Sequence, residues 1–376
     1  MFISFNLRPA LTSVGPLIEN IRESTGLSNI LLGLLTSLPL LAFGIMSISA
    51  PLFTKRFGVG ATLFGALILL IFGIAVRSID WLPALYIGTI MFGVGIAFGN
   101  VLLPGLTKRN FSNNSGLITS LYSSAMAIGA SLAAGLSVPL AYSYNLGWRG
   151  SLVLWAVPAG IACIIWIPQL WRLKKSSVNR NFIEGVRNMA SSRLAWKVAL
   201  YMGIQSFTFY VVLAWLPSIL QGRGYDAEFS GWMLSLSQAT GILGSLLVPL
   251  IAGRKNDQRI IVFGLIIIEI IGIVGLIFPE LGPIYIWISL IGFVLGGTFG
   301  LALLFLVLRT SDTESATELS GMSQSIGYLL AATGPILFGS LFDLTGNWSF
   351  PLSLLIAFSL LKLYVGLSAA KPGIVS

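Results

Sequence analysis

The chain has 376 residues, 56% of them hydrophobic and only 9% charged, with a mean hydropathy of +0.91 and a formal net charge of +9. No water-soluble fold hides that much apolar surface, so the composition requires an integral membrane protein. A single cysteine, Cys163, and the lack of histidine exclude internal disulfides, histidine metal sites and histidine proton relays.

Apolar runs of 18 or more residues recur along the whole length, each able to cross about 30 Å of hydrocarbon as a helix. They are continuous rather than alternating, which argues against an outer-membrane barrel. They predict twelve spans, near 1–18, 28–53, 60–78, 83–106, 115–141, 149–170, 195–220, 229–252, 260–278, 283–308, 318–341 and 349–369. The first has neither a basic leader nor a small-residue cleavage site, so it is expected to persist as a span. It rises about 27 Å, just under a crossing, which leaves room for a few residues upstream of Met1. Gly15-Pro16, Pro39, Pro104, Pro217 and Gly334-Pro335 fall inside spans, where neighbouring helices re-satisfy freed backbone groups. The long polar stretch 172–194 divides the chain into an N-terminal set of six spans (1–171), a basic linker and a C-terminal set (195–376).

The two sets echo each other. Phe92 to Leu103 and Phe293 to Leu304 share six of twelve residues at a spacing of 201, including Gly95 with Gly296 and Gly99 with Gly300. Ser115-Gly116 to Gly129 returns as Ser320-Gly321 to Gly334, and Pro51-Leu52 with its basic pair returns as Pro249-Leu250 with another. A doubled helical bundle is the build of secondary transporters, with the solute site between the repeats near the midplane.

Lys and Arg accumulate on cytoplasmic loops. With both termini inside, sixteen of the 22 cations fall on cytoplasmic segments, among them Lys55, Arg56, Lys108, Arg109, Lys174, Lys175, Arg180, Arg254, Lys255, Arg259, Arg309 and Lys371. Four, Arg22, Arg77, Arg149 and Arg223, fall on the opposite loops. Topology and anionic membrane lipid thus account for the positive charge, and no nucleic-acid partner is needed.

Ionisable groups at membrane depth are functional candidates by default, and three qualify: Arg8, Glu269 and Lys362. Arg8 sits about 10 Å along the first span with no acid in that span. It reads as an anion anchor or, alternatively, as a side chain snorkelling to the surface. Glu269 and Lys362, about 15 Å and 12 Å deep, read as an intramembrane ion pair, with proton uptake by Glu269 as the alternative. Tyr122, Gln205, Tyr210, Gln238 and Tyr328 are expected to orient the solute, each with interhelical packing as its plainer role. Asn100 and Gln324 lie nearer the cytoplasmic side, where a gate is as good a reading as a site. The glycine patterns near Gly95 and Gly296 lie in mid-span with no preceding strand, so they signify helix packing, not phosphate binding. No Walker motif, paired carboxylates or Ser-His-Asp set is present, so no enzyme activity, cofactor or metal is expected.

Six plus six spans with a basic central loop resemble the major facilitator superfamily over nearly the whole chain. The superfamily's Gly-x-Leu-x-Asp-Arg loop after span two looks degenerate here as Pro51-Leu52-Phe53-Thr54-Lys55-Arg56-Phe57-Gly58, with Lys55 at the Asp position. The resemblance assigns Lys55 and Arg56 to the cytoplasmic gating loop and puts the usual carboxylate latch in doubt. Asn6-Leu7-Arg8-Pro9, Gly99-Asn100, Phe209-Tyr210, Ala214-Trp215-Leu216-Pro217 and Gly327-Tyr328 further resemble the cyanate permease and 2-nitroimidazole transporter branch. That implies a monomeric inner-membrane protein carrying a small planar or anionic solute by alternating access, with protons as the coupling ion. A multidrug exporter of the same fold and a membrane-embedded sensor without transport are the rival readings.

Overall fold

The computed structural model describes residues 1–27, 29–173 and 182–375, and those residues form helices and turns with no strand. Lys174, Lys175 and Arg180 of the basic linker lie outside the described residues. In chain order the helices are α1 (Phe2–Asn6), α2 (Pro9–Thr12), α3 (Ile18–Thr25), α4 (Asn29–Ser47), α5 (Ala50–Phe57), α6 (Val59–Arg77), α7 (Leu82–Phe111), α8 (Ser115–Tyr142), α9 (Gly147–Val153), α10 (Ala156–Trp166), α11 (Gln169–Arg172), α12 (Phe182–Ser191), α13 (Arg193–Gln221), α14 (Ala227–Ala252), α15 (Arg259–Ile277), α16 (Ile284–Leu308), α17 (Thr313–Thr345) and α18 (Ser349–Ala370). Nine helical stretches among the described residues are long and apolar enough to cross a membrane, and one of them, Leu82–Tyr142, has 61 residues, enough for two crossings. The shorter apolar helix Leu31–Ser47 and an interrupted first segment complete the twelve runs.

Two expectations need correction. The span at 1–18 is not one helix: α1 stops at Asn6, α2 runs only from Pro9 to Thr12, and a 3-10 turn at Gly15–Leu17 leads into α3. Pro9 has no N–H for the Phe5 carbonyl, and its ring excludes that carbonyl, so the helix breaks between Leu7 and Pro9. The freed Phe5 carbonyl lies against Gly129 of α8, where a Cβ would overlap it. Second, Arg77 is not a loop cation but the last residue of α6, with no exposed surface. Within the linker, α12 packs on α13 and α17.

Helices of the N-terminal set pack mainly on one another, α6 and α4 on α7, and α1 on α8 and α10. In the C-terminal set α14 lies on α16, α13 on α17 and α18, and α15 on α16 and α18. The sets meet where α4 and α7 touch α17 and where α8 touches α14 and α16. The crossing of α14 and α16 is a backbone contact. A Cβ on Gly296 would overlap the Gly241 carbonyl, and one on Gly244 would overlap that of Phe293. Gly296→Ala is therefore expected to cost about 1–3 kcal/mol by overpacking. Gly264, with open space around its Cα, is the control: its alanine variant should unfold at or slightly above the wild-type midpoint in detergent. Equal midpoints for both variants would contradict the close crossing.

The end that carries Lys55, Lys108 and Arg254 is sewn shut between the sets. Lys108 Nζ on α7 donates to the Val307 carbonyl at 3.2 Å, one of the free carbonyls at the C-terminus of α16, where a cation also meets the negative helix pole. Ser123 Oγ donates to Ser245 O at 3.0 Å, Ser124 and Ser245 hydroxyls meet at 3.3 Å, Ser120 donates to Leu246 O and Ser325 to Gly44 O. At the opposite end the sets have separate cores, one around Leu17, Ile21 and Trp148, the other around Phe207, Ile288 and Trp348.

Candidate functional site

The break in the first segment places Arg8 at the N-cap position of α2, with Pro9 as the first helical residue. The backbone on either side is pinned to three neighbours. Asn6 Nδ2 donates to the Pro158 carbonyl at 3.1 Å, Thr12 Oγ1 to Ala130 O at 3.1 Å, and Arg77 Nη1 to Ala10 O at 2.6 Å. Arg77 Nη2 also reaches Ser13 Oγ at 3.4 Å, and its guanidinium stacks on Phe92 with 4.8 Å to the ring centre. A kinked segment leaves carbonyls such as Ala10 O without a helical partner, and a buried arginine with a fork of donors supplies one. Arg77→Leu is expected to lower the unfolding midpoint, since each buried acceptor left without a donor costs about 1–3 kcal/mol. An unchanged midpoint in thermal unfolding would refute this bracing role.

Arg8 is half-buried and crosses to the other set. Its guanidinium carbon lies 4.9 Å from the ring centre of Phe299 on α16 and 5.6 Å from that of Phe209 on α13. Such cation–π contacts contribute about 0.5–2 kcal/mol each, depending on desolvation. The hydroxyls of Tyr210 and Tyr328 lie within the electrostatic reach of the same guanidinium. No carboxylate among the described residues pairs with Arg8. Below it Asn100 Nδ2 of α7 meets Tyr328 Oη of α17 at 3.5 Å, a contact between the sets, and Phe43 of α4 packs edge-on to the Tyr328 ring at 4.9 Å.

The sequence-expected residues divide into three groups. Arg8, Tyr210, Tyr328 and Asn100 come together around one point. Tyr122 and Gln205 are buried near mid-depth, and Tyr122 Oη, Tyr210 Oη and Gln205 Oε1 have no protein hydrogen-bond partner. Buried polar atoms in that state are rare and suit a site that water or a solute completes. Gln238 on α14 is half-buried, and no hydrogen bond joins it to the others. Gln324 Nε2 bonds to its own helix at Ser320 Oγ, 3.1 Å away, and its Oε1 is buried without a hydrogen-bond partner. Lys55 and Arg56 are exposed in the last turn of α5, where they suit the helix dipole, and neither pairs with a carboxylate among the described residues.

Glu269 and Lys362 join α15 to α18, whereas Arg8 meets rings of α13 and α16. Lys362 Nζ donates to Glu269 Oε1 at 2.7 Å, and both side chains have zero exposure. Glu269 Oε2 and the nearby Tyr201 Oη lack further partners.

Residue-type reasoning missed Phe43, Phe299 and Arg77. Phe299 had a detectable signal, since it occupies the position of Phe98 in the duplicated segment. The two copies diverge in use: Phe98 packs on Phe53 at 4.9 Å, whereas Phe299 faces the cation.

A family model described as Major Facilitator Superfamily matches residues 1–335. The 2-nitroimidazole transporter of Escherichia coli is 40% identical over 372 residues, covering 99% of this chain and 94% of that protein. The cyanate transport protein CynX of the same organism is 29% identical, covering 93% and 90%. Among solved structures, the proton:xylose symporter XylE superimposes with a TM-score of 0.77 at 14% identity, covering 100% of this chain and 96% of that one.

Proposed function

The chain belongs to the Major Facilitator Superfamily, and from that premise we propose that it carries a small planar or anionic solute across the bacterial cytoplasmic membrane by alternating access. That it is a multi-pass solute transporter and not an enzyme follows from the family and its relatives. In this reading residues 1–171 and 195–376 rock as two bodies about a central site, and protons are the coupling ion. The single observation that carries the solute class is the guanidinium of Arg8, half-buried between aromatic faces, with tyrosine hydroxyls beside it and no carboxylate partner among the described residues. A fork of donors with flat apolar walls fits a planar group bearing negative charge or electron-rich oxygens. The relatives named for 2-nitroimidazole and cyanate support the same class.

The basic end is the cytoplasmic one on charge distribution, and the stretch after α18 folds back on α16, with Val375 N donating to Arg309 O at 2.8 Å. Thermal unfolding of the detergent-purified protein against nitrate, cyanate, small carboxylates, nitroimidazoles and cationic drugs tests the reading, because a ligand of the folded state raises its midpoint. At least one anion or nitroheterocycle is expected to do so. Stabilisation confined to the cationic drugs would replace this reading with that of a drug exporter.

A further inference from the structure

A second feature faces the lipid at the basic end. The first turn of α15 and the last turns of α18 enclose a groove of about 710 Å³ lined by Asp257, Arg259, Ile260, Phe263, Tyr364 and Lys371, among others. Its floor and outer wall are apolar and open: Ile260 is 86% exposed, Phe263 52% and Tyr364 65%. Its rim is cationic. Arg259 and Lys371 stand at the mouth, and Lys197 of α13 lies over the Tyr364 ring at 4.4 Å. The one carboxylate, Asp257, is spent on Arg259, whose Nε and Nη2 it accepts at 2.8 and 2.6 Å. Three cations against one acid leave a positive rim over an apolar slot.

The groove is also preformed. Arg309, only 3% exposed, donates through Nε to Ala369 O and through Nη2 to Ala370 O, each at 2.8 Å, and also reaches the Gln258 side chain. Gln258 N bonds in turn to Ala370 O at 3.3 Å. These bonds satisfy carbonyls at the end of α18 and fasten it to the start of α15, while the Glu269–Lys362 pair holds the same two helices deeper in. Lys371 then leaves the helix in extended backbone, at the rim.

We propose that this groove is a binding site for an anionic phospholipid, its phosphate and headgroup on Lys371, Lys197 and Arg259 and its acyl chains along Ile260, Phe263 and Tyr364. The argument is charge complementarity on a rigid amphipathic slot at headgroup depth. A zwitterionic lipid offers the same tails with no net charge to match the rim.

The test uses the full chain in a neutral detergent. Added phosphatidylglycerol is expected to raise the unfolding midpoint by about 2–4 °C over phosphatidylcholine of the same acyl chains. Inorganic phosphate alone is expected to do nothing. The Lys197→Gln/Lys371→Gln variant should keep the wild-type midpoint without lipid and lose the phosphatidylglycerol increment, and the Lys→Arg pair should recover it. Equal effects of the two lipids, an increment that survives in the glutamine variant, or the same increment from phosphate overturns the proposal. So does a dimer that persists by light scattering in phosphatidylglycerol, since a second copy would then occupy the groove.

Discussion

Arg8→Ala is expected to abolish the midpoint increase given by whichever panel compound stabilises the wild type, and to abolish uptake of that compound in cells or proteoliposomes. Each charge-assisted hydrogen bond from a guanidinium contributes about 1.5–3 kcal/mol. Two lost from one planar group weaken binding by about 10²- to 10⁴-fold. The fold should survive, because among the described residues Arg8 makes no ion pair, and its contacts with Phe209 and Phe299 contribute only modestly. Arg8→Lys should fall between the two, since an ammonium keeps the charge but neither forks nor stacks as a guanidinium does. Wild-type uptake by the alanine variant removes Arg8 as the anchor.

The second large effect is on stability. Glu269→Leu strands the Lys362 ammonium at zero exposure, and breaking a buried pair from one side costs about 3–5 kcal/mol. The double variant Glu269→Leu/Lys362→Met removes both charges and is expected to regain the wild-type midpoint or exceed it. Glu269→Gln separates the pair's two readings. It should lower the midpoint yet leave the pH dependence of uptake unchanged, because the carboxylate on α15 is committed to Lys362 on α18, whereas Arg8 meets rings of α13 and α16. A pH profile that flattens in Glu269→Gln would make Glu269 the proton carrier instead.

What was legible in the sequence was what composition and covalent pattern decide. Long apolar runs fixed the spans, the duplicated Gly95 and Gly296 segments fixed the doubling, and a lone arginine among apolar residues marked the candidate site proposed above. The kink at Arg8 was only half legible. Pro9 announces an interruption, but where the chain goes afterwards is decided by Asn6, Thr12 and Arg77 reaching Pro158, Ala130 and Ala10, partners 67 to 152 residues away from them. Arg77 itself looked like a loop cation because charge counting registers position along the chain, not the direction a side chain takes. Phe43 left no signal, because aromatic residues are ordinary in apolar helices and only the fold shows that it packs on Tyr328, whereas the duplication offered Phe299 but not the cation it meets. Gln238 is half-buried on α14 with no bond to the cluster, which its depth in the sequence could not show.

One consequence follows from which body owns which part of the Arg8 contact. The arginine belongs to the first six spans, while both rings that it leans on belong to the last six. On the proposed reading, cargo held by the fork of donors also lies against those rings, so it touches both bodies at once. Filling the site would then bear directly on how the two halves are clasped.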